Sequence, residues 1–174
     1  MSKLILLFVG LLFAFEFKAQ NFKTAVEYND YIVQQQNLIG TQIIKFNEEM
    51  GKEGATATSV QPYYEKLLSI NKTAIENVSK MPGFENNVAL RDAVLELLKF
   101  YERTFSVDYK KIIDLVFSKN LDDAAIGEIN RLLEKITSEE KPYDEKFAAA
   151  QASFAKQYNF ELIENELNEE FEQE

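Results

Sequence analysis

The sequence predicts an all-α fold, an up-down-up-down four-helix bundle with long helices. Apolar residues recur three or four positions apart over long stretches, which is the spacing of one helix face, and no period-two stretch indicates a strand. The chain has only six glycines and three prolines, and most of them cluster at a few breaks in this pattern. These breaks separate a short N-terminal segment and four amphipathic helices.

The N-terminal segment, residues 1–19, predicts a signal peptide rather than part of the fold. Lys3 supplies a basic start, and residues 4–15 form an uncharged, almost wholly apolar run. This run is shorter than the roughly 20 residues that a bilayer-spanning helix needs. The small residue Ala19 then precedes polar Gln20, which completes the three-part plan of a secretory signal. We therefore expect export; a buried N-terminal helix is the less favoured alternative.

The first helix is predicted to begin at Thr24, because a hydroxyl followed three residues later by the Glu27 carboxylate is a capping box. Its apolar stripe then alternates steps of three and four residues. We expect that stripe to contain Phe22, Ala25, Asn29, Ile32, Gln36, Ile39, Ile43, Phe46 and Met50.

The second helix is predicted to begin near residues 59–62, with Pro62 in its first turn, where proline is tolerated. The segment around residues 81–83 turns the chain, and a third helix follows over about 87–118. Members of the two stripes are Tyr63, Leu67, Ile70, Ala74 and Val78, then Val94, Leu98, Tyr101, Phe105, Ile112 and Leu115.

The fourth helix is predicted to begin near Asp122, an N-capping residue type. Its apolar face stays in register across Pro142, which indicates one long helix kinked there rather than two helices joined near residues 137–141. The bundle domain is expected to span residues 20–160. Residues 161–174 follow as an acidic amphipathic helix or tail.

Composition excludes much chemistry. The chain has no His and no Cys, so a Ser-His-Asp triad, thiolate nucleophiles, disulfides and the usual zinc sites are absent. A di-iron bundle site normally uses Glu-x-x-His motifs, and no segment fits a calcium or phosphate-binding loop. We expect no cofactor. The net charge of −10 disfavours nucleic acid and anionic lipid as partners.

Three polar residues interrupt the predicted apolar stripes, namely Asn29, Gln36 and Asp108. Buried polar groups need partners, so we expect the two amides to bond across the helices, through Asp108 or a tyrosine hydroxyl. The favoured interpretation is a polar layer that fixes helix register. The alternative is the polar end of an apolar pocket lined by tyrosines such as Tyr28 and Tyr101.

The C-terminal tail keeps helical spacing in its apolar residues, although it holds seven glutamates and no basic residue. It is expected either to extend the fourth helix and pack on the bundle, or to dock a basic or apolar partner. The possible docking face consists of Phe160, Ile163, Leu167 and Phe171.

The segment Tyr28-Asn29-Asp30-Tyr31, the Phe-rich exported start and the all-helical pattern resemble an uncharacterised family of exported helical surface or periplasmic proteins of Bacteroidetes-type bacteria. The resemblance covers most of the mature chain loosely. It implies an exported helical protein without an assigned activity, and no catalytic residue follows from it.

Three functions remain open. The first is a non-enzymatic bundle that acts through contacts with an unknown protein or envelope component, without a transmembrane anchor after signal cleavage. The second is a module that binds a small apolar ligand between helices, which a void of about 300 Å³ or more favours. The third is an enzyme that relies on Glu, Asp, Lys, Ser or Tyr alone, and this is the least favoured.

We predict that the exported protein begins at or within a few residues of Gln20. The intact mass of the protein isolated from its host, or N-terminal sequencing, measures this directly. Retention of Met1 or Ser2 on the functional protein would contradict the signal-peptide interpretation.

Overall fold

The computed structural model describes residues 21–162 and is all-helical over that range, as the sequence predicts. Residues 1–20 and 163–174, which include the predicted signal peptide and nearly all of the acidic tail, lie outside the described residues. The helices are α1 (Ala25–Met50), α2 (Ala57–Ser79), α3 (Ala89–Arg103), α4 (Lys110–Val116) and α5 (Asp123–Tyr158). A π-helical segment, Thr104–Tyr109, joins α3 to α4 without a break, so four helical rods result.

Side-chain caps fix three of the helix starts. The Thr24 hydroxyl accepts a hydrogen bond from the Glu27 amide at 3.1 Å, and Asp122 accepts one from the Ala125 amide at 2.9 Å, which confirms both predicted starts. The predicted start of the second helix is wrong by a few residues. Thr56 caps α2 through a reciprocal capping box with Ser59, so Pro62 lies inside the helix rather than in its first turn.

Half of the predicted stripe of α1 is correct, and the other half is displaced by one residue. The predicted positions Ala25, Asn29, Ile32, Ile39 and Phe46 are buried. Between them, the helix buries the residue that precedes the predicted one. The buried residues are Gln35, Gln42 and Glu49, whereas Gln36, Ile43 and Met50 are half-buried.

Hydrogen bonds to α2 explain this displacement. The side chain of Gln35 accepts from Asn77 Nδ2 at 3.1 Å, and Gln42 Nε2 donates to the main-chain carbonyl of Tyr63 at 3.1 Å. A buried amide that is paired across two helices costs little to bury. The α1–α2 contact therefore accepts polar residues, and the apolar Ile43 and Met50 lie at its edge.

The π-helical segment is the main departure from the predicted third helix. A π turn is wider than an α turn and accommodates an additional residue, which rotates the side chains on either side of it. Within this segment Thr104, Phe105 and Asp108 are all buried. The segment thus turns a carboxylate inward beside an aromatic core residue.

The last helix, α5, is continuous through Pro142, which excludes the alternative of two joined helices. It ends at Tyr158, because Asn159 adopts a left-handed conformation with φ 54°. The Phe160 amide donates to the Ala155 carbonyl at 3.1 Å, and the Phe160 ring packs on Phe154, as in a Schellman motif. The helix α5 thus ends before the tail, most of which lies outside the described residues.

Hydrogen bonds connect the rods in a fixed order. Asn71 of α2 donates to the Leu98 carbonyl of α3 at 3.0 Å, and the Tyr64 hydroxyl donates to the Phe105 carbonyl at 3.0 Å. Between α3 and α5, Lys146 pairs with Glu96 at 2.5 Å. The rod α1 packs closely on α2 and meets α5 mainly near its own start. The largest core cluster is shared by all four rods.

A tight turn between α2 and α3 closes one end of the molecule. Glu85 and Asn86 both have positive φ, 49° and 68°, and the main chains of Phe84 and Asn87 exchange two hydrogen bonds around them. This is a type I′ turn in a position where a left-handed backbone is costly for glutamate. It directs Phe84 against the ends of α1 and α5.

Over residues 21–162, no helix combines the length and the apolarity that crossing a membrane requires.

We predict that Gly40→Ala stabilises the protein by about 0.5–1 kcal/mol, since glycine in a helix interior is unfavourable by that amount. A Cβ at Gly40 would have no neighbour within 4 Å. Urea unfolding measures the change.

Gly54→Ala is the matched control, because a Cβ there also meets open space but the backbone has φ +77°. It should destabilise the protein by about 1 kcal/mol. Destabilisation by Gly40→Ala would mean that the added methyl group meets neighbouring atoms. That result would contradict the open space that the structure shows at Gly40.

Candidate functional site

Asn29 is buried at the start of α1, and its partner lies on α5. Gln151 Nε2 donates to Asn29 Oδ1 at 2.9 Å, and Asn29 Nδ2 donates to Asp30 at 3.3 Å. The expectation of a cross-helix partner is thus met, but the predicted partner, Asp108 or a tyrosine hydroxyl, is wrong. Gln151 was not recognisable from the sequence, because it lies on a helix face that also carries exposed polar residues.

Gln36 does not join Asn29 in one polar layer, since its side chain is only half-buried. The buried amides that the sequence did not predict are Gln35, Gln42 and Asn71. The run of three glutamines at 34–36 indicates that a glutamine meets the apolar face of α1. No local pattern shows which of the three is buried. These amides bond to α2 or α3 and connect helices.

Asp108 is the most deeply buried charged residue of this part of the chain, with 3% of its surface exposed. Lys135 of α5 donates to Asp108 Oδ1 at 2.8 Å, and the Arg103 guanidinium lies 3.7 Å from Oδ2. Oδ2 itself has no hydrogen bond within residues 21–162, and neither has the buried hydroxyl of Thr104. Asp108 therefore forms an ion pair between the π segment and α5, far from the amides of α1.

Tyr101 lies in a second polar contact between α3 and α5. Its hydroxyl donates to Glu140 Oε1 at 2.6 Å. Burial, and then the negative charges of Glu140 and Asp144, hold the pKa of Tyr101 well above its usual range. Desolvation and the neighbouring Glu140 also raise the pKa of Asp144 to about 6. The side chain of Asp144 is exposed at the edge of this contact.

Tyr28 is completely buried in an aromatic cluster at the end of the molecule where α1 begins and α5 ends. Its ring lies 5.1 Å from Phe22, 5.7 Å from Phe84 and 5.4 Å from Phe154, measured between centroids. Its hydroxyl has no hydrogen-bond partner within the described chain. Burial raises the pKa of Tyr28 to about 12, so the hydroxyl stays protonated.

Two cavities reach a size relevant to ligands. One of about 290 Å³ lies beside Tyr28 and is bounded by the arm before α1 and the α2–α3 turn. The other, of about 280 Å³, lies in the groove between α1 and α2 near Gln42 and Pro62. Of the five predicted layer or pocket residues, the first cavity contacts Tyr28 alone. Asn29, Gln36, Asp108 and Tyr101 do not line either cavity.

Within residues 21–162, no three carboxylate side chains converge closely enough to hold a metal ion. The glutamate-rich composition thus does not gather into a ligand cluster in the part of the chain that the structure describes. Several of its carboxylates pair with lysine and arginine on neighbouring turns or helices, as Glu128 does with Lys111 and Arg131.

No family model, curated protein or solved structure matches the chain.

We predict that Asn29→Ala lowers the free energy of unfolding by about 1–3 kcal/mol, because it leaves the amide of Gln151 buried without its acceptor. Asn29→Leu should cost less. The coupling energy between Asn29 and Gln151 follows from a double-mutant cycle with Gln151→Ala, measured by urea unfolding.

Gln36→Ala is the control on the same helix, and its effect should stay within about 0.5 kcal/mol. Zero coupling between Asn29 and Gln151 would contradict the hydrogen bond that we describe.

We also predict a pH-dependent effect of Asp144→Asn. A carboxyl whose folded pKa is raised to about 6 favours its protonated form, so ionisation destabilises the fold as pH rises from the unfolded pKa towards 6. Asp144→Asn should therefore stabilise the protein at pH 7.5, by no more than about 1 kcal/mol after solvent screening, and the gain should vanish near pH 4. Thermal unfolding at the two pH values measures it. Glu145→Gln, at the next position, is the control; a gain that is equal at both pH values would refute the prediction.

Proposed function

We propose that this protein is an exported, non-enzymatic helical bundle that acts through contacts with another protein. The observation that carries the proposal is a pair of large, exposed apolar side chains on one face of α5. Export is supported by the signal-like residues 1–19, and the resemblance to exported helical surface or periplasmic proteins agrees with it. The place of action is then the periplasm, the cell surface or the medium.

The α5 outer patch consists of Ile126 and Leu133, which are 44% and 47% exposed. They are seven residues apart and therefore share one face of α5. That face flanks the buried face of the same helix, which carries Leu132 and Ile136.

Large exposed apolar side chains on one helix face are typical of protein contact surfaces. The positions one turn farther along this face, Asn130 and Thr137, are exposed and uncharged. A strongly charged partner is not favoured by such a border. A folded protein with its own apolar patch fits better, and the acidic chain as a whole disfavours nucleic acid and anionic lipid.

The buried polar residues support a structural protein rather than an enzyme. Asn29, Gln35, Gln42 and Asp108 each bond to another helix. Catalytic groups normally converge on a space that substrate can enter. In this chain the polar side chains are spread along the helix contacts, where they set the order and register of the rods.

The second function, binding of an apolar ligand between helices, has less support. The two cavities of about 290 and 280 Å³ open to the surface and are not enclosed between the rods. Tyr101, one of the tyrosines of the predicted pocket, stacks on Phe105 and bonds to Glu140 of α5.

We infer the up-down-up-down connectivity from the order of the contacts. The end of α1 lies against the start of α2, where Phe46 meets Tyr64, and the start of α3 lies against the end of α5, where Asn87 donates to Gln157 at 2.9 Å. These pairs support antiparallel neighbours. A bend in α5 at Pro142 is also proposed, because proline has no amide hydrogen to donate to residue 138.

The test of the contact function is a photo-crosslinking amino acid placed at Leu133 in the native host. We expect one discrete crosslinked protein, and the same protein from Ile126, because both positions belong to the α5 outer patch. Ile126→Asp should remove the crosslink from Leu133 while the circular dichroism spectrum and the melting temperature stay unchanged.

The control is the same crosslinker at Lys72, an exposed position of α2 outside the patch. Crosslinks that are equal in kind and amount at Leu133 and Lys72, from a folded protein, would contradict the proposal.

A further inference from the structure

The cavity beside Tyr28 combines aromatic walls with charged rims. Phe22 and Phe84 form two of its walls, and Lys23 and Glu85 lie at its mouth with opposite charges. Phe22, Phe84 and Gly83 are half-buried, whereas Asn21, Lys23, Pro82 and Glu85 are exposed. Tyr28 is the one fully buried member, so it forms the floor.

Tyr28 and Thr104 each bury a hydroxyl that has no hydrogen-bond partner in the described chain, and of these two residues Tyr28 lines this cavity. Another buried tyrosine, Tyr64, donates its hydroxyl to a main-chain carbonyl at 3.0 Å. The Tyr28 hydroxyl exposes less than 1 Å² and bonds to no atom of the described chain. A buried hydroxyl without a partner costs about 1–3 kcal/mol, so its presence at the floor of a cavity needs an explanation.

The protonation state of the hydroxyl decides which chemical group would satisfy it. The hydroxyl remains protonated at neutral pH, because burial raises its pKa to about 12, and so it can donate. The nearby charges are balanced, since Arg91 pairs with Asp92 at 2.7 Å and Lys23 is opposed by Glu85 at the mouth. A carboxylate accepts a strong hydrogen bond from such a donor, whereas an ammonium group cannot accept one.

The size and walls of the cavity decide the rest of the ligand. A volume of about 290 Å³ is at the lower end for small-molecule sites, which admits one or two fused rings. Flat aromatic walls favour an aromatic ligand through stacked or edge-on contacts. The strained left-handed backbone at Glu85 and Asn86 holds the turn that positions Phe84 as one wall.

We propose that the cavity formed by Phe22, Tyr28 and the 82–85 turn binds a small aromatic molecule carrying a carboxylate, which accepts a hydrogen bond from the Tyr28 hydroxyl. The hydroxyl exposes less than 1 Å², so binding requires a side chain of the wall to move aside. Phe22 belongs to the short arm before α1, outside any helix, and packs edge-on against the Tyr28 ring, so its movement would disturb no helix. The site lies at the opposite end of α5 from the α5 outer patch and does not depend on it.

The test is calorimetric titration of the full chain with 2-naphthoate, and with 2-naphthylmethylammonium as a ligand with the same ring and the opposite charge. We expect 2-naphthoate to bind with submillimolar affinity and at least tenfold more tightly than the ammonium compound. Tyr28→Phe keeps the ring and removes only the hydroxyl, so it should weaken 2-naphthoate binding at least tenfold. Its urea midpoint should be equal to that of the natural protein or higher.

Tyr64→Phe is the matched control, since it removes a hydroxyl that has a partner in the core. It should lower the urea midpoint and leave the affinity for 2-naphthoate unchanged. The proposal is overturned if the natural protein does not bind 2-naphthoate, if Tyr28→Phe binds it equally well, or if Tyr28→Phe lowers the midpoint as much as Tyr64→Phe does.

Discussion

The buried carboxylate of Asp108 is the constraint on which the arrangement of the helices depends. A carboxylate removed from water is costly unless a cation and hydrogen bonds compensate for it. Here the compensation comes from Lys135 on α5 and from the nearby Arg103. The π segment turns Asp108 inward, so it sets how far α5 can slide along α3. The bonds from Tyr101 to Glu140 and from Lys146 to Glu96 are compatible with that one register.

Most other buried polar side chains also have a hydrogen-bond partner, so a buried polar group without a partner calls for an explanation. Asn29, Gln35 and Gln42 form hydrogen bonds across helices and thereby hold the helices in register. The Tyr28 hydroxyl is unpaired and lies beside a cavity, which is the arrangement expected of a group kept for a ligand. The apolar patch on α5 is a separate feature of the surface. The molecule therefore offers two places of contact on a core that is otherwise self-sufficient.

Local signals predicted the features that depend on neighbours in sequence. The caps at Thr24 and Asp122, and the passage of α5 through Pro142, need only a few adjacent residues and a periodic pattern. The burial of Gln35 in place of Gln36 depends on a hydrogen bond with Asn77 of α2. The spacing of apolar residues within α1 contains no information about that contact. The π segment is likewise selected by the tertiary pairing of Asp108. Tyr28 was among the predicted pocket residues, but the 82–85 turn that completes its cavity becomes adjacent only in the fold.

The most direct measurement is the stability of Lys135→Met, alone and combined with Asp108→Leu, by urea unfolding. Our account predicts that Lys135→Met alone costs about 3–5 kcal/mol, because it leaves the carboxylate buried without its main cation. The double variant should recover most of that loss, since it removes the buried charge as well. A loss below about 0.5 kcal/mol for Lys135→Met, or a double variant as unstable as the single one, would contradict the role of Asp108 in fixing the fold.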